Sequence, residues 1–196
     1  MSHYFKNDSS LKNDKIVIPF IFKGYNFSFI SNNGVFSKAE IDTGSLTLLS
    51  ALAIDKLTGN VLDLGCGYGL IGITLSKLNP EINVHMVDIN DRAVELSTWN
   101  SLNNNVNTLV FKSDIYSNVE LKYNSIIINP PIRAGKVIVN KMLIDAKKHL
   151  LNHGDLIIVM RKSHGAKSAF ELLKVNYSHV EILKKNKGFY VIKAQV

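Results

Sequence analysis

The 196-residue chain has one cysteine, Cys66, and only three arginines, Arg92, Arg133 and Arg161, among its 23 basic residues. A single cysteine excludes a disulfide framework and any cysteine-cluster metal site, and it fits a reducing compartment. No apolar run approaches the roughly 20 residues that a spanning helix needs, so no membrane partner is expected. The segment from Met1 to Asp14 is polar and has no apolar signal-peptide core. The six histidines, His3, His85, His149, His153, His164 and His179, form no ligand pair at an expected site. His149 and His153 are four apart, but they straddle an expected helix end without a third ligand, so no metal is expected. These absences together describe a cytoplasmic protein.

What is present is ordinary for a folded domain: 46% hydrophobic and 20% charged residues exclude disorder for most of the chain. The length suits a single domain, with a polar tail at 1–14, a hairpin at 15–34 and a core at 35–196. A monomer is the expected state. The net charge of +7 has two readings. It attracts a polyanionic partner such as nucleic acid, or it reflects the Lys/Asn/Ile bias of an AT-rich genome.

Two strand-like runs, Ile16 to Phe22 and Tyr25 to Ile30, flank Lys23 and Gly24 and predict a hairpin, with Ser31 to Gly34 as closing turn residues. Asp42 to Ser45 reads as a helix start before Leu46, Leu48, Leu49, Leu52 and Ala53 at helical spacing. From Asn60 strands and helices alternate. The expected strands are Val61 to Leu64, Ile82 to Val87, Thr108 to Phe111, Tyr123 to Ile128 and Asp155 to Met160. The expected helices are Leu70 to Leu78, one capped by Asp91 and running to about Asn103, Val137 to Leu151 closed by Gly154, and Ser163 to Leu173. Val180 to Lys184 and Phe189 to Ala194 form a final strand pair around Asn186, Lys187 and Gly188. The fold class is α/β: a doubly wound, mostly parallel seven-stranded sheet with an antiparallel closing pair and an N-terminal β-hairpin.

The first strong motif runs from Val61 through Asp63, Gly65, Cys66, Gly67, Tyr68 and Gly69 to Gly72. Three alternating glycines follow a strand and open a helix, so a ligand can approach the backbone closely. Asp88 ends the next strand, 25 positions after Asp63, where an acid can accept from ribose hydroxyls. A dinucleotide fold shares the Gly67–Gly72 pattern. Two features argue against it here: Asp63 would repel a pyrophosphate, and Gly65 starts the loop one step early. The residues resemble the class I S-adenosylmethionine-dependent methyltransferases, whose first motif reads acidic-x-Gly-x-Gly-x-Gly. The resemblance implies S-adenosylmethionine as cofactor and S-adenosylhomocysteine as product. It implies that Gly65, Gly67 and Gly69 form the floor under the methionine part, that Asp63 helps hold the amino group, and that Asp88 takes the ribose hydroxyls. Asp114 matches the acid that accepts from the adenine amine. Cys66, Ile89 and Ile115, beside these residues, line the same site.

The second motif is Asn129, Pro130, Pro131 and Ile132 after Ile126 to Ile128. It ends the strand expected beside the first one, where strand order reverses and ligands bind. An exocyclic amine on a base or amide is a poor nucleophile because its lone pair is delocalised. Two acceptors on its hydrogens, the Asn129 side-chain oxygen and the Pro130 carbonyl, would draw the nitrogen toward tetrahedral geometry and stabilise the growing positive charge. The prolines stiffen the turn and remove N–H donors. In amino-methyltransferase families an aromatic residue follows the prolines and stacks on the base. Ile132 departs from that pattern, so stacking must come from elsewhere, with Phe36 the first candidate and Tyr68 a weaker one.

Gly34 to Lys38, Asp42 to Ser45, and Arg133 to Lys136 complete a resemblance over about residues 15–196 to the family that methylates guanine N2 in small-subunit (16S) ribosomal RNA, in its compact single-domain branch. That resemblance implies ribosomal RNA or the small subunit as partner. It gives Phe36, Lys38, Pro131, Ile132, Arg133 and Lys136 as substrate-facing residues, with Lys38, Arg133 and Lys136 suited to phosphate. Cys66 lies in the cofactor loop and not after the prolines, which argues against ring-carbon methylation through a cysteine adduct. Methylation of a protein glutamine amide or of adenine uses the same amine chemistry. An RNA-binding assembly factor that keeps the fold is the non-enzymatic alternative.

Overall fold

A computed structural model describes residues 15–32, 41–131 and 134–196. β1 (Lys15–Phe22) and β2 (Tyr25–Asn32) pair as an antiparallel hairpin. Lys23 and Gly24 both take positive φ, 48° and 81°, the geometry of a two-residue hairpin turn. Then follow α1 (Thr43–Ala51), β3 (Asn60–Leu64), α2 (Leu70–Leu78), β4 (Asn83–Asp88), α3 (Asp91–Asn103) and β5 (Thr108–Lys112). The chain continues through β6 (Tyr123–Ile128), α4 (Lys136–His149), β7 (Leu150–Arg161), α5 (Ala166–Asn176), β8 (His179–Asn186) and β9 (Phe189–Gln195).

The seven strands after the hairpin form one sheet in the order β5-β4-β3-β6-β7-β9-β8. β5 through β7 are parallel, and β9 runs antiparallel to both its neighbours. The order reverses between β3 and β6, as expected. Strand side chains alternate between two cores. Val61, Val84, Met86, Ile127, Ile157 and Val159 face α1, α2, α3 and the hairpin. Leu62, Leu64, Ile126, Ile128, Leu156 and Ile158 face α4 and α5.

Four local expectations are corrected. Ser31 and Asn32 extend β2, paired with Ile16 and Lys15, and are buried rather than turning. Asn90, not Asp91, caps α3: its side-chain oxygen accepts from the Arg92 N–H at 2.9 Å. α4 stops at His149, because Leu150 already pairs with Tyr123 in the sheet. Gly154 sits in the irregularity that follows, where a Cβ would lie 2.9 Å from the Leu151 carbonyl oxygen. Finally, α5 begins at Ala166 and not Ser163; Lys162–His164 form a 3-10 turn, and Gly165 breaks it with φ +96°.

The hairpin docks by two means. Phe20, Phe27 and Phe29 pack as a cluster, with Phe29 edge-on to Tyr68 at 5.7 Å. On the edge of β2 away from β1, an asparagine of α3 and its C-cap asparagine take the part of a neighbouring strand. Asn100 accepts from the Ile30 N–H at 2.7 Å and donates to the Ile30 and Tyr68 carbonyls at 2.9 and 2.8 Å. Asn104 accepts from the Ser28 N–H and donates to the Ser28 carbonyl. Four residues of helix rise about 6 Å and two of strand about 6.8 Å, so an i, i+4 pair matches alternate strand residues.

Replacing Asn100 by Ala leaves a buried N–H and two buried carbonyls without partners. The expected cost is about 3 kcal/mol, read as a lower urea midpoint at unchanged m.

Candidate active site

On the face of the sheet toward α1 and α2, each apolar column ends in a polar residue. Val84 and Met86 lead to Asp88; Val61 leads to Asp63; Ile127 leads to Asn129; Ile157 and Val159 lead to Arg161. These strands are neighbours, so the four groups gather at one edge in steps: Asp63 is level with Met86 and Ile127, Asp88 and Asn129 lie two residues further along, and Arg161 two further still.

The loop between β3 and α2 crosses this edge. Gly65, Gly67 and Gly69 all have positive φ, +75°, +58° and +91°, which an L side chain rarely adopts. A Cβ at Gly69 would lie 2.7 Å from Ile73 Cδ1 and 3.3 Å from the Ser97 backbone, and one at Gly72 would lie 2.5 Å from Met86 Sδ. Gly65 differs: a Cβ there would meet only Met142, at 3.9 Å, so this glycine borders open space. Each glycine N–H of this stretch, and that of Cys66, is taken within the protein. Gly65 and Cys66 donate to the Val87 carbonyl, Gly67 to Asp88 Oδ2, Gly69 to the Cys66 carbonyl and Gly72 to Asp63 Oδ2. A pyrophosphate loop needs such N–H groups directed at the ligand. This loop instead offers bare backbone, as a phosphate-free cofactor requires.

Asp88 is buried. It accepts from the Gly67 N–H at 2.9 Å and the Asn90 N–H at 2.9 Å, so one carboxylate ties the loop to the start of α3. Burial raises its pKa, against the lowering effect of those N–H groups. Asp63 is also buried, its Oδ2 2.8 Å from the Gly72 nitrogen. Asp114 is exposed, while its backbone N–H donates to Ser117 Oγ at 3.1 Å. Ile115 takes φ +53°, a strained value for a β-branched residue and one that directs attention to the end of β5. Ile89, at the end of β4, is partly exposed. Cys66 is buried beside Ser97, and burial pushes its thiol well up, the opposite of an activated nucleophile.

Asn129 is held by Asp42 and Ser45, which the sequence presents as a helix start and as part of the family resemblance, without a role at the site. Its Nδ2 donates to Ser45 Oγ at 2.9 Å and to Asp42 Oδ1 at 3.4 Å. Asp42 is the cap of α1, and the same oxygen accepts from the Ser45 N–H at 3.0 Å. Committing Nδ2 this way leaves Oδ1 as the acceptor end of the amide. Gly44 permits the packing: a Cβ there would lie 2.9 Å from Asp42 Oδ1 and 3.1 Å from the Phe189 ring. The signal that could have given Asp42 and Ser45 their role was that Asp-x-Gly-Ser helix start, one of the motifs that carry the resemblance.

Pro130 is buried, and the Pro131 carbonyl accepts from the Ala134 N–H at 2.8 Å. Lys136 is exposed at the first turn of α4. Phe36, Lys38, Ile132 and Arg133 lie outside the described residues. Tyr68 is not available to stack on a base: its ring is buried against Phe29. Its hydroxyl is buried without a hydrogen-bond partner, and the nearby Asp42 charge adds to burial in pushing its pKa up. Among the described residues, no cluster of His, Cys, Asp or Glu could hold a metal, and no helix is long and apolar enough to cross a membrane.

Burial raises the Asp63 pKa from 3.8 to about 7, offset in part by the Gly72 N–H and reinforced by Asp88. The folded state therefore holds a proton that the unfolded chain releases near pH 4, and stability falls as pH rises from about 4 to about 7. Asp63→Asn keeps an acceptor for Gly72 without the charge. Urea unfolding at pH 5 and pH 8 should show a smaller loss in this variant than in the wild type.

The methyltransferase small domain family matches residues 26–193. The protein named "Uncharacterized protein YbxB" of Bacillus subtilis is 41% identical over 196 residues, 98% of each chain. Ribosomal RNA small subunit methyltransferase C of Vibrio parahaemolyticus is 44% identical over 130 residues, 64% of this chain and 38% of its own length. The Haemophilus influenzae protein of that name is 36% identical over 174 residues, 85% of this chain and 50% of its own. The chain thus spans half or less of these two ribosomal RNA relatives. Among solved structures, a T. thermophilus 16S rRNA N2 methyltransferase in complex with AdoMet and guanosine superposes with a TM-score of 0.82. It is 23% identical and covers 91% of this chain and 50% of its own, a likeness of fold. The family match spans the glycine loop and the Asn-Pro-Pro end of β6, so the chain belongs to the methyltransferase small domain family and is an S-adenosylmethionine-dependent methyltransferase.

Proposed function

We propose that the chain methylates the exocyclic N2 amine of a guanine in small-subunit (16S) ribosomal RNA, with residues 41–196 and the hairpin acting as one catalytic domain. The observation that carries this reading is the Asn129 amide, oriented by Ser45 and Asp42 at the end of β6 beside the glycine loop. When bound, S-adenosylmethionine supplies an electrophilic methyl on a cationic sulfur. The site suits it: Gly65 borders open space, and Gly65, Gly67 and Gly69 leave the backbone there without Cβ atoms. In this reading Gly65, Cys66, Gly67 and Gly69 lie under the methionine part. Asp63 helps hold its amino group. Asp88 receives the ribose hydroxyls, and Ile89, Asp114 and Ile115 border the adenine.

Asn129 Oδ1 and the Pro130 carbonyl accept the two hydrogens of the target amine. The nitrogen lone pair is then freed from the ring and aimed, and the positive charge that grows on nitrogen meets two fixed dipoles. Neither step needs a strong base. Small-subunit ribosomal RNA as the substrate draws on the relatives named ribosomal RNA small subunit methyltransferase C and on the +7 charge, and guanine N2 as the target draws on the motif resemblance. Pro131 and Lys136, together with Phe36, Lys38, Ile132 and Arg133, border the substrate in this reading.

Radiolabelled methyl transfer to small ribosomal subunits from a strain lacking the enzyme is the direct test, with label expected in a nuclease-sensitive product. Label in a protease-sensitive product would replace the RNA reading with a protein amide. Asn129→Ala should lower kcat on the order of 100-fold while S-adenosylmethionine binding persists. Ser45→Ala frees the amide to rotate and should lower kcat about tenfold with little change in KM.

A further inference from the structure

The row of strand ends does not stop at Asn129. One strand over, β7 ends in Arg161, which pairs in register with Phe189 at the start of β9. The guanidinium lies over the Phe189 ring, 5.7 Å from its centroid. Phe189 in turn packs against Gly44, in the turn of α1 that holds Asn129. The next residue, Lys162, is bound to the β8–β9 turn by its N–H, which donates to the Gly188 carbonyl at 2.7 Å. Lys187 in that turn takes φ +44°. Lys185, opposite Tyr190 in the β8–β9 pair, places its ammonium 5.0 Å from that ring.

Four exposed cations, Arg161, Lys162, Lys185 and Lys187, thus share one corner of the sheet with two partly buried aromatic rings. β8 runs parallel to β7, so this corner lies at the same carboxyl edge as Asn129. Four other lysines are in ion pairs: Lys112 with Asp91, Lys148 with Asp145, Lys174 with Glu171 and Lys193 with Asp155. Among the described residues, none of the four corner cations has an acidic partner. The acids of these strands, Asp155 and Glu181, sit at the far end, opposite Gln195 and Lys193.

We infer that this corner is the RNA-gripping surface of the enzyme: Arg161, Lys162, Lys185 and Lys187 contact the phosphates that flank the target base, and Phe189 forms the wall between them and Asn129. The inference rests on the RNA reading above and names a surface for it. Unpaired cations interleaved with aromatic rings suit a single strand, whose phosphates attract charge and whose unstacked bases meet ring faces. The target base must leave its stack to reach Asn129, so the adjoining strand is of that kind.

The test is a titration of 16S ribosomal RNA with the full chain at several KCl concentrations. The variants are Lys162→Ala, Lys185→Ala, Lys187→Ala and their triple combination, with Lys56→Ala as an exposed control from the 3-10 turn after α1. Each corner lysine should reduce the slope of log affinity against log salt by about 0.7, and the triple variant by about 2. The triple variant should also raise KM for RNA with kcat at saturation and S-adenosylmethionine affinity unchanged, and the control should match the wild type. An unchanged slope and KM in a folded triple variant, as checked by its melting curve, would overturn the inference and leave these lysines as guards of the β8 edge. A wild-type chain that neither binds nor methylates RNA would overturn the RNA reading and this surface together.

Discussion

A parallel sheet covered on both faces places its charged and amide side chains toward the ends of its strands. Inside, an unpaired charge would face two apolar layers and lose its water without compensation. The columns of this sheet follow that trend: Val84 and Met86 before Asp88, Val61 before Asp63, Ser125 and Ile127 before Asn129, Val159 before Arg161. Because the strands are parallel neighbours, exclusion from the core gathers the polar groups at one edge. The site follows from the same burial that stabilises the fold.

Each group at that edge is then oriented by backbone or by another element. Asp88 and Asp63 spend their oxygens on the N–H groups of Gly67, Asn90 and Gly72, which sets the path of the cofactor loop. The same burial holds both carboxyls above their ordinary pKa. Asn129 is oriented differently, by the cap of a helix that precedes it by more than eighty residues. Asp42 therefore has two tasks, closing the first turn of α1 and fixing which end of a distant amide accepts. Phe189 and Gly44 make the contact that seats that helix end over the sheet.

Most elements were legible because their signals are local. The glycine loop, the Asn-Pro-Pro stop and the Lys23–Gly24 turn carry backbone constraints that few other structures satisfy. The misplaced boundaries arose where tertiary pairing outweighed local preference. Leu150 fits the helical spacing of α4 but pairs with Tyr123, and Ser31 has turn chemistry but lies in β2. Asn100 lies in α3 and Asn104 is its C-cap. Their use as a surrogate strand depends on where β2 lies, which no pattern within α3 specifies.

The sequence alone determined the alternation of strands and helices, the phosphate-free character of the cofactor loop and the residue types available for amine chemistry. Periodicity and positive-φ glycines act over a few residues, so they can be read without a fold. Tertiary structure alone decided that Ser45 and Asp42 orient Asn129, that Tyr68 belongs to the core, and that Arg161 and Phe189 extend the catalytic row. Those facts depend on contacts between residues far apart in the chain, and only the packing of α1 and β9 onto the sheet brings them together.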